Sequence, residues 1–252
     1  MMPASYLVLV SATALVASAM GAITGSTSLL TVPVMLLVGM DAKTAVATNM
    51  LGVLALSIGA SVPYVKERRI PRRPTIGLAL ASAPGSIAGA FAAVAISENA
   101  LRTTITIAML AMAIVIVARP NFGDAAQPRS KIAHAAGYIS MAAWGVYGGL
   151  FSGGYATVLT FACIACFGLS FVEAVGVTKL VNAVGSLAAV SVFAAEKRID
   201  WRVGLAISVA SLVGGWMGAA FAIKRGATVI RRLFAVVVFA FGARLLYGVI
   251  AR

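Results

Sequence analysis

Ala45-Val46-Ala47-Thr48-Asn49-Met50-Leu51 and Ala174-Val175-Gly176-Val177-Thr178-Lys179-Leu180 are two versions of one motif, and reading them as a pair decides the fold. Outward from each copy the same parts recur in the same order. Gly21, Gly25 and Leu29 precede the first copy, and Gly149, Gly153 and Thr157 precede the second. Beyond the motif, Ser57 matches Ser186, Arg68-Arg69-Ile70 matches Lys197-Arg198-Ile199, and Gly85 and Gly89 match Gly214 and Gly218, all at one constant separation. Recurrence in register over such a length marks an internal repeat. It divides the chain into halves, 1–125 and 126–252, that meet in the polar linker at 121–131.

What each half is made of follows from composition. Of 252 residues, 61% are hydrophobic and 11% charged, against about 45–50% and 25% in an ordinary soluble domain. A mean hydropathy of +1.01 and apolar runs near the roughly 20 residues that cross a bilayer as a helix exclude a soluble enzyme. The spacing predicts an all-α integral membrane protein. Its elements are a broken helix over 4–40, spans over 44–65, 75–96 and 100–118, a second broken helix over 132–167, and spans over 171–195, 203–223 and 228–249. That makes about eight transmembrane elements in two four-helix halves, with the first and fifth broken. Ala17-Ser18-Ala19 resembles a signal-peptide cleavage site, but no Lys or Arg precedes the apolar run, so the segment is expected to stay as a helix.

The formal charge of +13 does not point to nucleic acid, because the basic residues sit at helix ends and form no stripe interleaved with aromatics. They set topology instead. Since the matched loops at 66–73 and 196–202 are both basic, both are expected in the cytoplasm with 121–131 and both termini. The halves would then be parallel, related by an axis along the membrane normal. Lys224, Arg225, Arg231 and Arg232 then fall outside, against the rule. Cys163 and Cys166 lie in an apolar run without a second pair, and His134 is the lone histidine, so no metal and no cofactor are expected. With no H-E-x-x-H and no nucleophile constellation, neither is catalysis.

Duplicated halves with interrupted helices are the pattern of secondary transporters, whose broken helices build a site near the midplane. Half-helices starting at Gly25-Ser26-Thr27-Ser28 and Ser152-Gly153-Gly154-Tyr155 would present free N–H groups and a positive dipole end, a combination that binds oxyanions. The alternative is that these glycines only let helices pack closely. Lys179 falls about 12 Å into its span with no carboxylate within a turn. It shares a helix face with Thr178, Asn182 and Ser186, and Thr48 and Asn49 supply a second polar face from the first half. An unpartnered ammonium can take an anion as partner, or it can bond the carbonyls of a neighbouring broken helix. Glu173 reads as a helix-start residue that could also carry a proton, and Arg244 as one that snorkels to the interface.

The Gly-rich break before Leu29, Leu30 and Pro33, the run at 45–49, the run from Glu173 to Asn182 and the Lys197-Arg198-Ile199-Asp200-Trp201 loop together resemble the TauE/SafE sulfite exporter family. The resemblance covers nearly the whole chain. It implies a carrier in the inner (cytoplasmic) membrane for sulfite, sulfonates or related small organic anions, with lipid and the anion as partners. It also maps the substrate site onto Gly25, Gly153, Gly154, Thr178, Lys179 and Asn182. With the residues read directly, the candidate set is Gly25, Ser26, Thr27, Thr48, Asn49, Ser152, Gly153, Gly154, Thr178, Lys179 and Asn182. Thr44 and Phe161 depart from the family pattern. Export is the expected direction, because an anion leaving a negative cytoplasm gains about 2.3 kcal/mol per charge per 100 mV. A passive anion channel and a docking-only accessory protein are the other classes open at this point.

Overall fold

A computed structural model describes residues 4–25, 27–67, 69–118 and 129–225, and everything described is helix or short connection. Nine helices run in order among these residues: α1 (Ala4–Thr24), α2 (Ser28–Leu37), α3 (Ala42–Lys66), α4 (Arg72–Ala95), α5 (Glu98–Ala118), α6 (Lys131–Leu150), α7 (Tyr155–Phe167), α8 (Phe171–Ala195) and α9 (Trp201–Arg225). Five helices are long and apolar enough to cross a membrane, so the chain is a multi-pass membrane protein. The span expected at 228–249, with Arg231, Arg232 and Arg244, lies outside the described residues.

Local chemistry accounts for the helix ends. The Asp41 carboxylate accepts from Thr44 N–H at 3.0 Å to start α3, and Ser130 Oγ accepts from Ala133 N–H at 3.2 Å to start α6. Glu173 accepts from both Ser170 N–H (3.0 Å) and Ser170 Oγ (2.7 Å), closing a capping box on α8. That is the helix-start role anticipated for it.

The two broken stretches do not continue onward as kinked spans; each doubles back. Thr27 Oγ1 donates to Ala17 O at 3.3 Å, a contact ten residues apart that only a chain reversal allows. Likewise Gly148 packs on Tyr155 while Gly137 packs on Phe167, so α7 returns alongside α6. Each break is therefore a hairpin of one long and one short helix.

Glycines set the closest helix contacts. On α4, a Cβ at Gly85 or Gly89 would run into the carbonyls of Ala142 and Val146 on α6, and reciprocally Gly145 and Gly149 lie on Ser82 O and Ser86 O. Gly214 and Gly218 of α9 meet Leu15 O and Ala19 O of α1 in the same manner. These are small-xxx-small crossings, held by dispersion and close backbone approach where lipid offers no hydrophobic driving force. Contacts rising in step along both chains make α4 and α6 parallel, and α1 and α9 parallel. Gly52 on Ile207 and Gly215 on Leu56 make α3 and α9 parallel as well.

α3 and α8, which carry the two motif copies, run antiparallel. Gly176 near the start of α8 packs on Tyr64 at the end of α3 and on Ile70 in the connection beyond it. Asn182 meets Ser57 further along, and Asp200 N–H, beyond the end of α8, donates to Thr48 Oγ1 near the start of α3 at 3.0 Å. Thr48 and Lys66 are roughly 27 Å apart along the helix. The loops at 66–71 and 196–200 therefore lie at opposite ends of the bundle, which overturns the expected parallel arrangement and their common sidedness. Ala4, at the start of α1, lies with the 196–200 loop, so the N-terminal end also parts from 66–71.

This regrouping removes the anomaly in the charges. Lys66, Arg69, Arg72, Arg73, Arg129, Lys131, Lys224 and Arg225 gather at one end with Glu67 and Glu173. At the other, Lys43, Arg102, Lys197, Arg198 and Arg202 are matched by Asp41, Glu98, Glu196 and Asp200. The cluster at 224–225 thus joins the basic end instead of opposing it. At the balanced end, Glu98 Oε1 accepts from Ala42 N–H at 2.5 Å and from Arg102 Nε at 3.0 Å, while Lys43 Nζ donates to Val94 O at 2.6 Å. Those bonds tie α3, α4 and α5 together.

Candidate functional site

The starts of α2 and α7 meet inside the bundle. Gly25, at φ +78°, sits so close that a Cβ would lie 2.8 Å from Thr157 N and 2.9 Å from Ala156 Cβ, while a Cβ at Gly153 would lie 2.7 Å from Leu29 Cδ2. The left-handed residue of the second break is Gly154 (φ +82°), not the Gly153 that sequence order sets against Gly25. Gly25 and Gly154 are 129 residues apart, the separation that also relates Ser57 to Ser186. Left-handed backbone and absent space both demand glycine at Gly25.

Where the helix starts meet, hydroxyls and one amide form a buried chain. Ser28 Oγ and Ser152 Oγ are 2.5 Å apart, Asn49 Nδ2 donates to Ser28 Oγ at 2.8 Å, and Thr31 Oγ1 donates to Asn49 Oδ1. α3 thus holds α2 through both ends of one amide. The second half repeats the arrangement with less polar groups: Thr160 Oγ1 of α7 lies 3.3 Å from Thr178 Oγ1 of α8. Thr31 and Thr160, like Asn49 and Thr178, are separated by 129 residues.

Lys179 is 1% exposed. Its Nζ donates to Gly21 O at 3.1 Å, a carbonyl in the last turn of α1 that also accepts Gly25 N–H at 2.7 Å. The bond to a neighbouring broken helix that was one expectation for this lysine is present. Asn182 Nδ2 donates to Ser57 Oγ at 3.0 Å, joining α8 to α3. The described carboxylates, Asp41, Glu67, Glu98, Glu173, Glu196 and Asp200, all sit at helix ends or in connections, so the interior electrostatics come from helix dipoles and one amine.

The candidate residues accordingly divide. Gly25, Thr27, Asn49, Ser152, Gly153 and Gly154 gather at the paired helix starts. Thr178, Lys179 and Asn182 line one face of α8, joined to the first group through Gly21, Gly25 and Thr160. Thr48 belongs to neither, because its hydroxyl holds the 196–200 loop, and Ser26 lies outside the described residues. His134 stacks near Phe167, ring centroids 5.1 Å apart, and Cys163 and Cys166 are free thiols on α7.

Five participants escaped the sequence-based set: Ser28, Thr31, Ser57, Thr160 and Tyr147. The 129-residue separation could have found Thr31 and Thr160 as a pair. Tyr147 leaves no such trace. Its hydroxyl donates to Gly153 O, and its ring packs edge-on against Trp144 and Phe151. Fixing that carbonyl turns the Gly154 N–H, on the opposite edge of the same planar peptide, away from the tyrosine. Tyr147→Phe should keep the packing and lose this orientation. The expected result is a loss of stability of about 1 kcal/mol or somewhat more, read as a lowered melting temperature, since a buried carbonyl loses its donor; an unchanged melting temperature would leave Tyr147 as packing alone.

Residues 10–245 match the family described as Sulfite exporter TauE/SafE. Among curated proteins, the chain is 26% identical over 233 residues to "Probable membrane transporter protein ORF9" of Sinorhizobium sp, covering 92% of this chain and 89% of that one. It is 25% identical over 232 residues to a "Probable membrane transporter protein" of Haemophilus influenzae (92% and 91% covered), and 24% identical over 235 residues to YfcA of Escherichia coli K12, which bears the same description (93% and 87% covered).

Proposed function

The chain belongs to the sulfite exporter TauE/SafE family of membrane transporters, and from that premise we propose that it is a secondary carrier for a small sulfur-containing or organic oxyanion, sulfite or a sulfonate first among them. The observation that supports this most is the meeting of two helix starts, bridged by Ser28 and Ser152, within a bundle whose described interior holds one amine and no carboxylate. First-turn N–H groups have no partner within their own helix and favour an oxyanion, and the serine hydroxyls can turn to donate. In the proposed site Gly25, Ser26, Thr27, Ser152, Gly153 and Gly154 form the cradle, Asn49 and Thr178 orient it, and Lys179 and Asn182 face it from α8. Thr48 acts on the neighbouring loop.

The two halves, 1–125 and 126–252, are proposed as repeats inverted about an axis in the membrane plane. The antiparallel course of α3 and α8 and the matched left-handed glycines, Gly25 with Gly154 and Gly39 with Gly168, support this. Exchange of conformation between inverted halves then opens the site to each side in turn. In a cytoplasmic membrane, the end with Lys66, Arg69, Lys131 and Lys224 faces the cytoplasm and the N-terminal end faces outward. Single cysteines at Arg69 and Arg198 should react with an impermeant thiol reagent from opposite sides, Arg69→Cys from the cytoplasm; labelling of both from one side would sink the inverted arrangement.

The functional test is thermal stability in detergent with sulfite, sulfate, methanesulfonate and acetate. A ligand at about 100 times its Kd stabilises by about 2.7 kcal/mol. Stabilisation by the sulfur oxyanions, with saturable and mutually competing flux in proteoliposomes, is the expected result. No shift with any anion would remove the substrate site, and non-saturating flux would indicate a channel.

A further inference from the structure

We infer that Lys179 is also the proton site of the carrier, binding one proton with each monovalent anion and releasing both on the far side. This rests on the anion-carrier reading above and adds the coupling ion to it. The geometry is that of an amine with no counter-charge among the described residues: fully enclosed about 12 Å into α8, its Nζ bonded to Gly21 O. Among the described residues, the elements around it offer no charge at that depth. α3 contributes Tyr64, α6 Tyr147 and α7 Tyr155 and Cys163, side chains that carry no charge near neutral pH. The titratable groups of α4 and α1, Arg72, Arg73 and Tyr6, sit at the first turns of those helices. Glu173, six residues before Lys179, is held by Ser170.

A neutral amine can keep the bond to Gly21 O, because an N–H donates with or without charge. An ammonium in the same place, enclosed by protein with no carboxylate beside it among the described residues, is costly. An anion at the adjoining starts of α2 and α7 supplies the missing charge, so proton and anion stabilise each other's binding. The amine takes a proton from water as the anion enters and returns it to water as the anion leaves. No covalent bond to the anion forms. One H⁺ and one A⁻ cross together, the loaded and empty carriers are both uncharged at this site, and the membrane potential does no work on the cycle. A substrate made in excess inside the cell then leaves when its outward gradient exceeds the inward gradient of protons.

The test uses the full chain in proteoliposomes with a pH dye in the lumen and the potential clamped by potassium and valinomycin. The probes are methanesulfonate, a strong-acid anion that carries no proton itself, and sulfite. A gradient of one pH unit, acid outside, should concentrate methanesulfonate about tenfold with one proton entering per anion, and an imposed 100 mV should change nothing. Accumulation of about 50-fold per 100 mV without lumen acidification would overturn the inference while leaving the carrier intact. Absence of flux for both probes would sink the carrier reading, and this inference with it. Lys179→Arg, whose guanidinium keeps its proton, should make the residual flux voltage-driven and proton-free; one-for-one proton entry in that variant would also overturn the assignment. Should the arginine protein be inactive, the stoichiometry of the unaltered chain decides.

Discussion

Gly89→Leu is expected to prevent the bundle from closing, with little folded protein recovered and the remainder melting far below the parent. A Cβ at this position would overlap Val146 O and stand 2.7 Å from Leu150 N, and both are backbone atoms of α6 that cannot rotate aside. The helices would have to separate along the whole crossing that Gly85, Gly145 and Gly149 also form. Overpacking ordinarily costs about 1–3 kcal/mol. Here the loss should exceed about 4 kcal/mol, because the α4–α6 crossing joins elements distant in sequence and no solvent-driven term compensates in lipid. Gly39→Ala is the control. Nothing lies within 4 Å of its Cβ, so the strain of a left-handed alanine at φ +93° is the whole cost, about 1–2 kcal/mol. A Gly89→Leu protein as stable as Gly39→Ala would mean that α4 and α6 do not touch as described.

Lys179→Met should abolish anion-induced stabilisation and transport while leaving the ligand-free protein as stable as before. Methionine matches the length and apolar bulk of the lysine stem, and a polar group buried at bilayer depth disappears with the exchange. The carbonyl left behind is not orphaned, because Gly21 O still accepts Gly25 N–H at 2.7 Å. Were Lys179 only a clamp on α1, its removal would lower the melting temperature without ligand, by the usual cost of a broken buried bond, about 1–3 kcal/mol. Melting curves with and without methanesulfonate separate the two roles. A destabilised methionine protein that still responds to the anion would leave Lys179 as scaffold.

Both variants address residues whose identity was evident in the sequence but whose surroundings were not. Gly85 and Gly89 stood out by their match to Gly214 and Gly218; that one pair would lie on α6 and the other on α1 had no sequence signal. Lys179 stood out as a charge within an apolar run. Its choice of Gly21 O depends on the reversal at Gly25 bringing the end of α1 to the face of α8. Ser28 and Ser152, 124 residues apart, meet only because both hairpins fold inward.

What the sequence by itself determined is everything local: apolar runs long enough to span, breaks at Gly25-Ser26-Thr27-Ser28 and Ser152-Gly153-Gly154-Tyr155, and a motif recurring in register. These follow from hydrogen bonding and hydropathy within a few residues of each point. Direction is different. Two copies of a motif read identically whether their helices run parallel or antiparallel, so the likeness of the loops at 66–73 and 196–202 suggested one side of the membrane for both. Only packing across the bundle, with Asn182 on Ser57 and Asp200 on Thr48, decided that α8 opposes α3. The basic residues then sort to one end because the ends are defined by which helices pack together, a relation between distant segments that no local pattern encodes.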